Sequence, residues 1–171
     1  MNLEKMILAP NSEHHALTIS RYIGDNPIRF SDLVSLFLAG PYRVTQRAAL
    51  PLNMCVRRNA KLIKPHLKKI LQHLEQPKTP DALKRNGIRL LQFISIPQSF
   101  QGRVAAVCFR FFQNRKEAIA VRVFAMTVLA NLAKEQTELK NELIPLIEDE
   151  LPYASAGFIS RGRKVLKELK G

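Results

Sequence analysis

The sequence contains no tryptophan, only two cysteines, and seven glycines in 171 residues. It has no apolar run near the ~18 residues that a membrane span requires. The best stretch, residues 118–133, is interrupted by Arg122 and is too short. The opening residues, MNLEKMILAPNS, lack a long apolar core behind a basic segment, so no signal peptide is expected. Cys55 and Cys108 each sit inside an apolar run. They read as buried thiols in a reducing compartment, with a disulfide or a reactive thiol as the alternative. A cytoplasmic chain is the expectation. There is no Gly-rich phosphate loop, no G-x-S-x-G and no Cys–His pair, which removes the common nucleotide-binding and nucleophilic signatures. No segment alternates apolar and polar residues between turn signals, so no sheet is expected.

Acidic residues are missing from one long section. Residues 41–115 carry 15 basic and 2 acidic side chains. Residues 1–40 carry 3 basic and 4 acidic, and residues 116–171 carry 9 and 8. The net charge of +13 therefore belongs to the middle of the chain. A field of one sign attracts anionic partners: nucleic acid, an acidic protein or an anionic membrane surface.

The rest of the composition is that of an ordinary soluble domain, 46% apolar and 24% charged. Start and stop signals divide it into nine expected helices. Ser12 caps a helix that ends at Gly24, GDNP reads as a turn, and Ser31-Asp32 opens a short helix closed by Gly40-Pro41. A helix over 44–56 is followed by one over 60–74, whose Ile63, Leu67, Ile70, Leu71 and Leu74 share an apolar face. Thr79 reads as the cap of the next helix, with Pro80 at its first position, and another helix is expected through RVAAVCFRFF, residues 103–112. Asn114 and Glu117 read as a capping pair ahead of a helix over 116–133 that is apolar on nearly every side, and so is expected at the centre of the packing. Thr137 and Ser155 read as the last two caps.

Arg47, Arg85, Arg122 and Arg161 recur at separations of 38, 37 and 39 residues. Eight residues after each comes an apolar residue: Cys55, Phe93, Ala130 and Leu169. Proline stands in an aliphatic setting at Pro65 and Pro145. A beat just under 40 residues built on two helices is the signature of an α-solenoid, in which neighbouring pairs must stack to bury their apolar faces. The segments DLVSLFLAG-PYR-VTQRAAL and LIPLIEDEL-PYASAG-FISRGRKVLKEL resemble HEAT repeats, as does Ala120-Val121-Arg122 with Ala125. Arg85 lacks the preceding valine of that pattern, and Arg161 is followed by Gly162 and Lys164 where small or apolar residues are usual. The resemblance implies an all-α fold, a right-handed α-α superhelix of about four helix pairs. It places a capping helix within residues 1–30 and the repeats in 31–171, one domain overall. It further implies that the four phased arginines are structural, each bracing a turn by pairing with a carbonyl or an acid. The whole sequence, residues 117–157 above all, also resembles a group of short bacterial helical-repeat proteins, some labelled adenylosuccinate lyase. The lyases are long helical-bundle tetramers with a Ser-rich loop that has no counterpart here, so that activity is not carried over.

The candidate binding residues are Arg57, Arg58, Lys61, Lys64, Lys68, Lys69, Lys84 and Arg89, with Arg85 beside them. Lys61, Lys64 and Lys68 fall on one helix face, and Asp81, Arg85, Arg89 and Gln92 on another. Asp81 is also a possible i,i+4 partner for Arg85. The set reads either as a solvated face or as a patch for phosphates or carboxylates; a face that served only solubility would mix the signs. His14, His15, His66 and His73 have no Cys or carboxylate at ligand spacing, so no metal is expected. Glu148-Asp149-Glu150 reads as an exposed run with no catalytic role. The expected function is a non-catalytic interaction module that binds a protein or other anionic partner through its basic face, with no cofactor and no small-molecule substrate. The alternative is nucleic-acid binding, since basic HEAT-like alkylpurine DNA glycosylases are similar in fold and charge. Those enzymes use tryptophan and an acidic residue in a concave cleft. This chain has no tryptophan, and its aspartates, Asp25, Asp32, Asp81 and Asp149, do not match.

Overall fold

Residues 2–10 and 12–171 are described by a computed structural model. Among them there is no strand, and the all-α class expected from the sequence is the class observed. The helices are α1 (Leu3–Leu8), α2 (Glu13–Ile23), α3 (Pro27–Ala39), α4 (Tyr42–Arg58), α5 (Leu67–Leu74), α6 (Asp81–Leu91), α7 (Gln98–Gln113), α8 (Ile119–Ala133), α9 (Thr137–Glu150) and α10 (Ala156–Lys170). Two 3-10 segments, Ala60–His66 and Leu151–Tyr153, lead into α5 and out of α9. The chain forms two compact units, Met1–Ile94 and Ser95–Gly171. No helix among the described residues is long and apolar enough to cross a membrane.

In the first unit α4 packs against α1, α2, α3 and α6. Its Val44, Ala48, Leu52, Cys55 and Val56 are buried at intervals of three to four residues, which gives the helix a continuous inward stripe. Pro51 lies inside it and is tolerated although it removes one backbone donor. In the second unit α8 has the central place its composition demands, against α7, α9 and α10. Cys55 and Cys108 are free and buried, and burial pushes both thiols up.

Several helix starts differ from the sequence reading, some because a polar side chain serves a different backbone group. The third helix begins at Pro27, before Ser31. Asn26 caps it, its Oδ1 accepting from the N–H groups of Ile28 and Arg29, and Pro27 supplies a ready helical φ. Asn114 and Glu117 do not form a capping pair. Asn114 Oδ1 accepts from the Lys116 N–H in a tight turn, and α8 starts at Ile119 without a side-chain cap. The hydroxyl of Thr79 donates backward, to the carbonyls of His73 (2.6 Å) and Gln76 (2.9 Å), and does not cap α6. Thr137 is the first residue of α9, and Gln136 occupies its N-cap position. Ser155 caps α10 as expected. The stretch 60–74 begins as a 3-10 segment containing Pro65, which has no N–H to continue an α-helical ladder, and becomes α-helical only at Leu67. The N-terminal stretch holds two helices in place of one, separated at Ala9, whose backbone is extended.

Candidate functional site

The arginines separate into those that hold the fold together and those that do not. In the first unit Arg47 reaches from α4 to the end of α1, donating to the carbonyls of Leu8 (2.7 Å) and Ala9 (3.0 Å). The last carbonyls of a helix have no partner within it, so a guanidinium there both satisfies them and opposes the negative end of the dipole. Arg58 does the same for α2, with Nη2 to the Gly24 carbonyl at 2.6 Å and Nη1 to the Ser20 carbonyl at 3.3 Å. Arg58 had the sequence signature of the binding set, yet its guanidinium is tied to α2. Replacing Arg47 with methionine is expected to cost about 1–2 kcal/mol, and to speed amide exchange across Leu3–Leu8 selectively. Unchanged protection there would show that α1 is held by other contacts.

In the second unit Arg122 is buried. Its Nε donates to the Phe112 carbonyl at 2.8 Å and its Nη2 to Glu150 Oε2 at 2.7 Å. The guanidinium also lies 4.8 Å from the Phe158 ring centroid. Glu150 accepts further bonds from Arg115 Nε and Nη2, at 3.0 and 2.9 Å. Burial raises the Glu150 carboxyl, but the hydrogen bonds and charges of Arg122 and Arg115 outweigh it and hold the group below its ordinary range. Glu150 is thus a half-buried structural anion, in contrast to the exposed run expected from Glu148-Asp149-Glu150. Glu148 is exposed and pairs with Lys170.

Arg85 and Arg161 share the phase of Arg47 and Arg122 but not their contacts. Neither makes a hydrogen bond or ion pair among the described residues, and Arg85 is exposed. Asp81, its expected partner, lies 3.7 Å from Lys84 instead. The repeat is disturbed here in a second way. Cys55, Ala130 and Leu169 are buried, whereas Phe93 is 38% exposed because α6 stops at Leu91. Arg57 lies over the Phe93 ring, 5.3 Å from its centroid.

The remaining basic residues concentrate on the segment 60–69. Ile63, Leu67, Ile70 and Leu71 are buried while Lys61, Lys64, Lys68 and Lys69 are exposed, so the apolar face locks the segment down and turns its lysines to solvent. None of the four makes an ion pair among the described residues. The platform beneath is firm: the His66 ring lies 5.6 Å from the ring of Phe30, which is fully buried. Burial, with Lys69 nearby, lowers His66 and favours its neutral form. Lys84 and Arg89 on α6 are half-buried and make other contacts.

A cavity of about 290 Å³ lies in the first unit, walled by the α3–α4 turn, the end of α5 and the loop into α6, and no sequence motif pointed to it. Tyr42, His73 and Lys78 stand on it, and they come from three separate segments without a shared motif. Among the described residues no group of His, Cys, Asp and Glu is placed to hold a metal ion.

A family model described as the HEAT repeat domain matches residues 3–169. No curated protein and no solved structure matches the chain.

Proposed function

Because this chain belongs to the HEAT repeat domain family, whose members are generally protein-interaction modules, we propose that it is a non-catalytic module that binds an acidic protein surface through the lysines of residues 60–69. The observation that carries this reading is the contrast between two classes of cation. Arg47, Arg58 and Arg122 are bonded to carbonyls or a carboxylate of the fold. Lys61, Lys64, Lys68 and Lys69 are exposed and have no ion-pair partner among the described residues. The fold gains nothing visible from these four charges, and four like charges on one short segment repel each other. An anionic partner removes that repulsion. Arg57, steadied over Phe93, extends the same basic surface, and Lys84, Arg85 and Arg89 belong to its margin. A cytoplasmic setting goes with this reading, since both thiols are free.

Nucleic acid is the second reading, favoured by the 15 basic and 2 acidic residues between 41 and 115. Lysines make position-fixing, sequence-blind phosphate contacts. Anisotropy titrations of labelled poly-glutamate and of a labelled DNA duplex, each at two salt concentrations, separate the two. The proposal expects poly-glutamate to bind and to weaken as salt rises. Duplex binding that is tighter than poly-glutamate binding, and falls steeply with salt, selects nucleic acid. If neither binds at low salt, both readings fail.

A further inference from the structure

The cavity in the first unit differs from the lysine segment in character, and it lies next to it. Leu38, Leu83 and Pro80 give it an apolar lining. The two threonine hydroxyls on its wall have backbone acceptors: Thr45 Oγ1 donates to the Gly40 carbonyl at 3.3 Å, and Thr79 to the carbonyls already described. Both threonines are buried, so the wall is fixed before anything enters and demands no hydrogen bond from an occupant. Its volume of about 290 Å³ stands at the foot of the roughly 300–1,000 Å³ typical of clefts for drug-sized ligands. That favours a single large side chain over a cofactor.

The rim is cationic and polar. Lys78 is exposed and makes no ion pair among the described residues. His73 is on α5, and its Nδ1 donates to the Lys69 carbonyl at 2.8 Å, which ties the cavity's edge to the turn that carries Lys69. Tyr42 is 65% exposed beside the opening, a large ring with little of its surface covered. An apolar recess with lysines on and next to its rim suits a chain that carries carboxylates on either side of one bulky apolar residue.

We propose that this cavity is the anchor site for an acidic peptide segment of a protein partner. One leucine- or phenylalanine-sized side chain enters the recess, while flanking carboxylates lie against Lys78 and the α5 lysines. The anchor rests on the basic-face binding proposed above and adds to it a demand that charge alone does not make. Salt-dependent attraction brings any polyanion to the surface; only a chain with an apolar residue in the right place gains the buried area.

The test uses the full chain, ¹⁵N-labelled, and three fluorescein-tagged heptapeptides, Asp-Glu-Asp-X-Asp-Glu-Asp, with X leucine, phenylalanine or alanine. The leucine or phenylalanine peptide is expected to bind about tenfold more tightly than the alanine peptide. It should shift the amide resonances of Thr45, Thr79 and Leu83. Lys78→Glu, a change at an exposed residue, should weaken the tighter peptide while leaving the circular dichroism spectrum unaltered. Equal affinity for the three peptides, or shifts confined to residues 61–69, overturns the anchor and leaves the basic face standing. No binding by any peptide overturns both. Cavity shifts caused equally by N-acetyl-phenylalanine at the same concentration, or by a DNA duplex, overturn the peptide as the occupant.

Discussion

Replacing Arg122 with methionine should destabilise the second unit by about 3 kcal/mol or more. The change removes a charge that is buried together with Glu150. It leaves the Phe112 carbonyl without its 2.8 Å donor and Glu150 with only the exposed Arg115. Methionine fills much of the same volume, so the loss isolates the polar contacts from cavity formation. Urea unfolding followed by far-ultraviolet circular dichroism, together with amide exchange over residues 119–150, measures it. The double variant Arg122→Met with Glu150→Leu should recover a large part of the loss, since a buried pair is often replaceable by apolar groups while half a pair is not. A single variant as stable as the parent would show that the Arg122–Glu150 contact is incidental. The same pair fixes a pH dependence. The Glu150 carboxyl is held below its ordinary range in the folded chain, so its contribution is complete above the pKa of an unfolded glutamate. It is lost as pH falls through the depressed value. The Arg122→Met variant should therefore show a shallower loss of stability on acidification than the parent.

Phe30→Ala should cost about 3–5 kcal/mol in the first unit. Phe30 is fully buried on α3, and its ring faces His66 in the 3-10 segment that carries Lys61 and Lys64. The cavity left behind lies under the lysine platform. Besides stability, the variant should lose protection from exchange across residues 60–66, and binding of poly-glutamate should weaken although no charge has changed. Phe30→Leu, which keeps most of the volume, should retain most of both. If Phe30→Ala lowers stability but leaves exchange at 60–66 as it was, the 3-10 segment is held by Ile63 and its neighbours without the aromatic contact.

Much of the fold was legible in the sequence because it is encoded locally. Start and stop signals and apolar runs located α2, α4, α6, α7 and α10, and the apolar composition of 118–133 on nearly every side marked α8 as central. The errors lie where a polar side chain had a choice of backbone partners. Asn26 read as part of a turn and caps α3, while Thr79 and Asn114 each stood in a familiar capping pattern and satisfied a different group once the turn closed. The phased arginines were half legible. Arg47 and Arg122 brace as the repeat implies, while Arg85 and Arg161 stand where the pattern had already departed, one without the valine and the other before Gly162. The role of Arg58 was not legible, because the groups it bonds, Ser20 and Gly24, lie 38 and 34 residues earlier and their carbonyls carry no side-chain signal. Glu150 was misread for the same reason, since its partners Arg115 and Arg122 are 35 and 28 residues away. The lysine segment was legible as charge, while its shared face was read for one continuous helix and 60–66 is a 3-10 segment. The cavity was not, because its wall is assembled from distant turns.

On the proposed reading, the charges of Lys61, Lys64 and Lys68 serve a partner and not the fold. One triple variant, Lys61→Glu with Lys64→Glu and Lys68→Glu, tests it when unfolding and binding are measured on the same preparation. Unfolding free energy should stay within about 0.5 kcal/mol per site of the parent, as for surface residues without fixed contacts, while poly-glutamate binding at low salt is lost. A variant that binds as the parent does, or one that unfolds because the lysines were needed in place, would contradict the account.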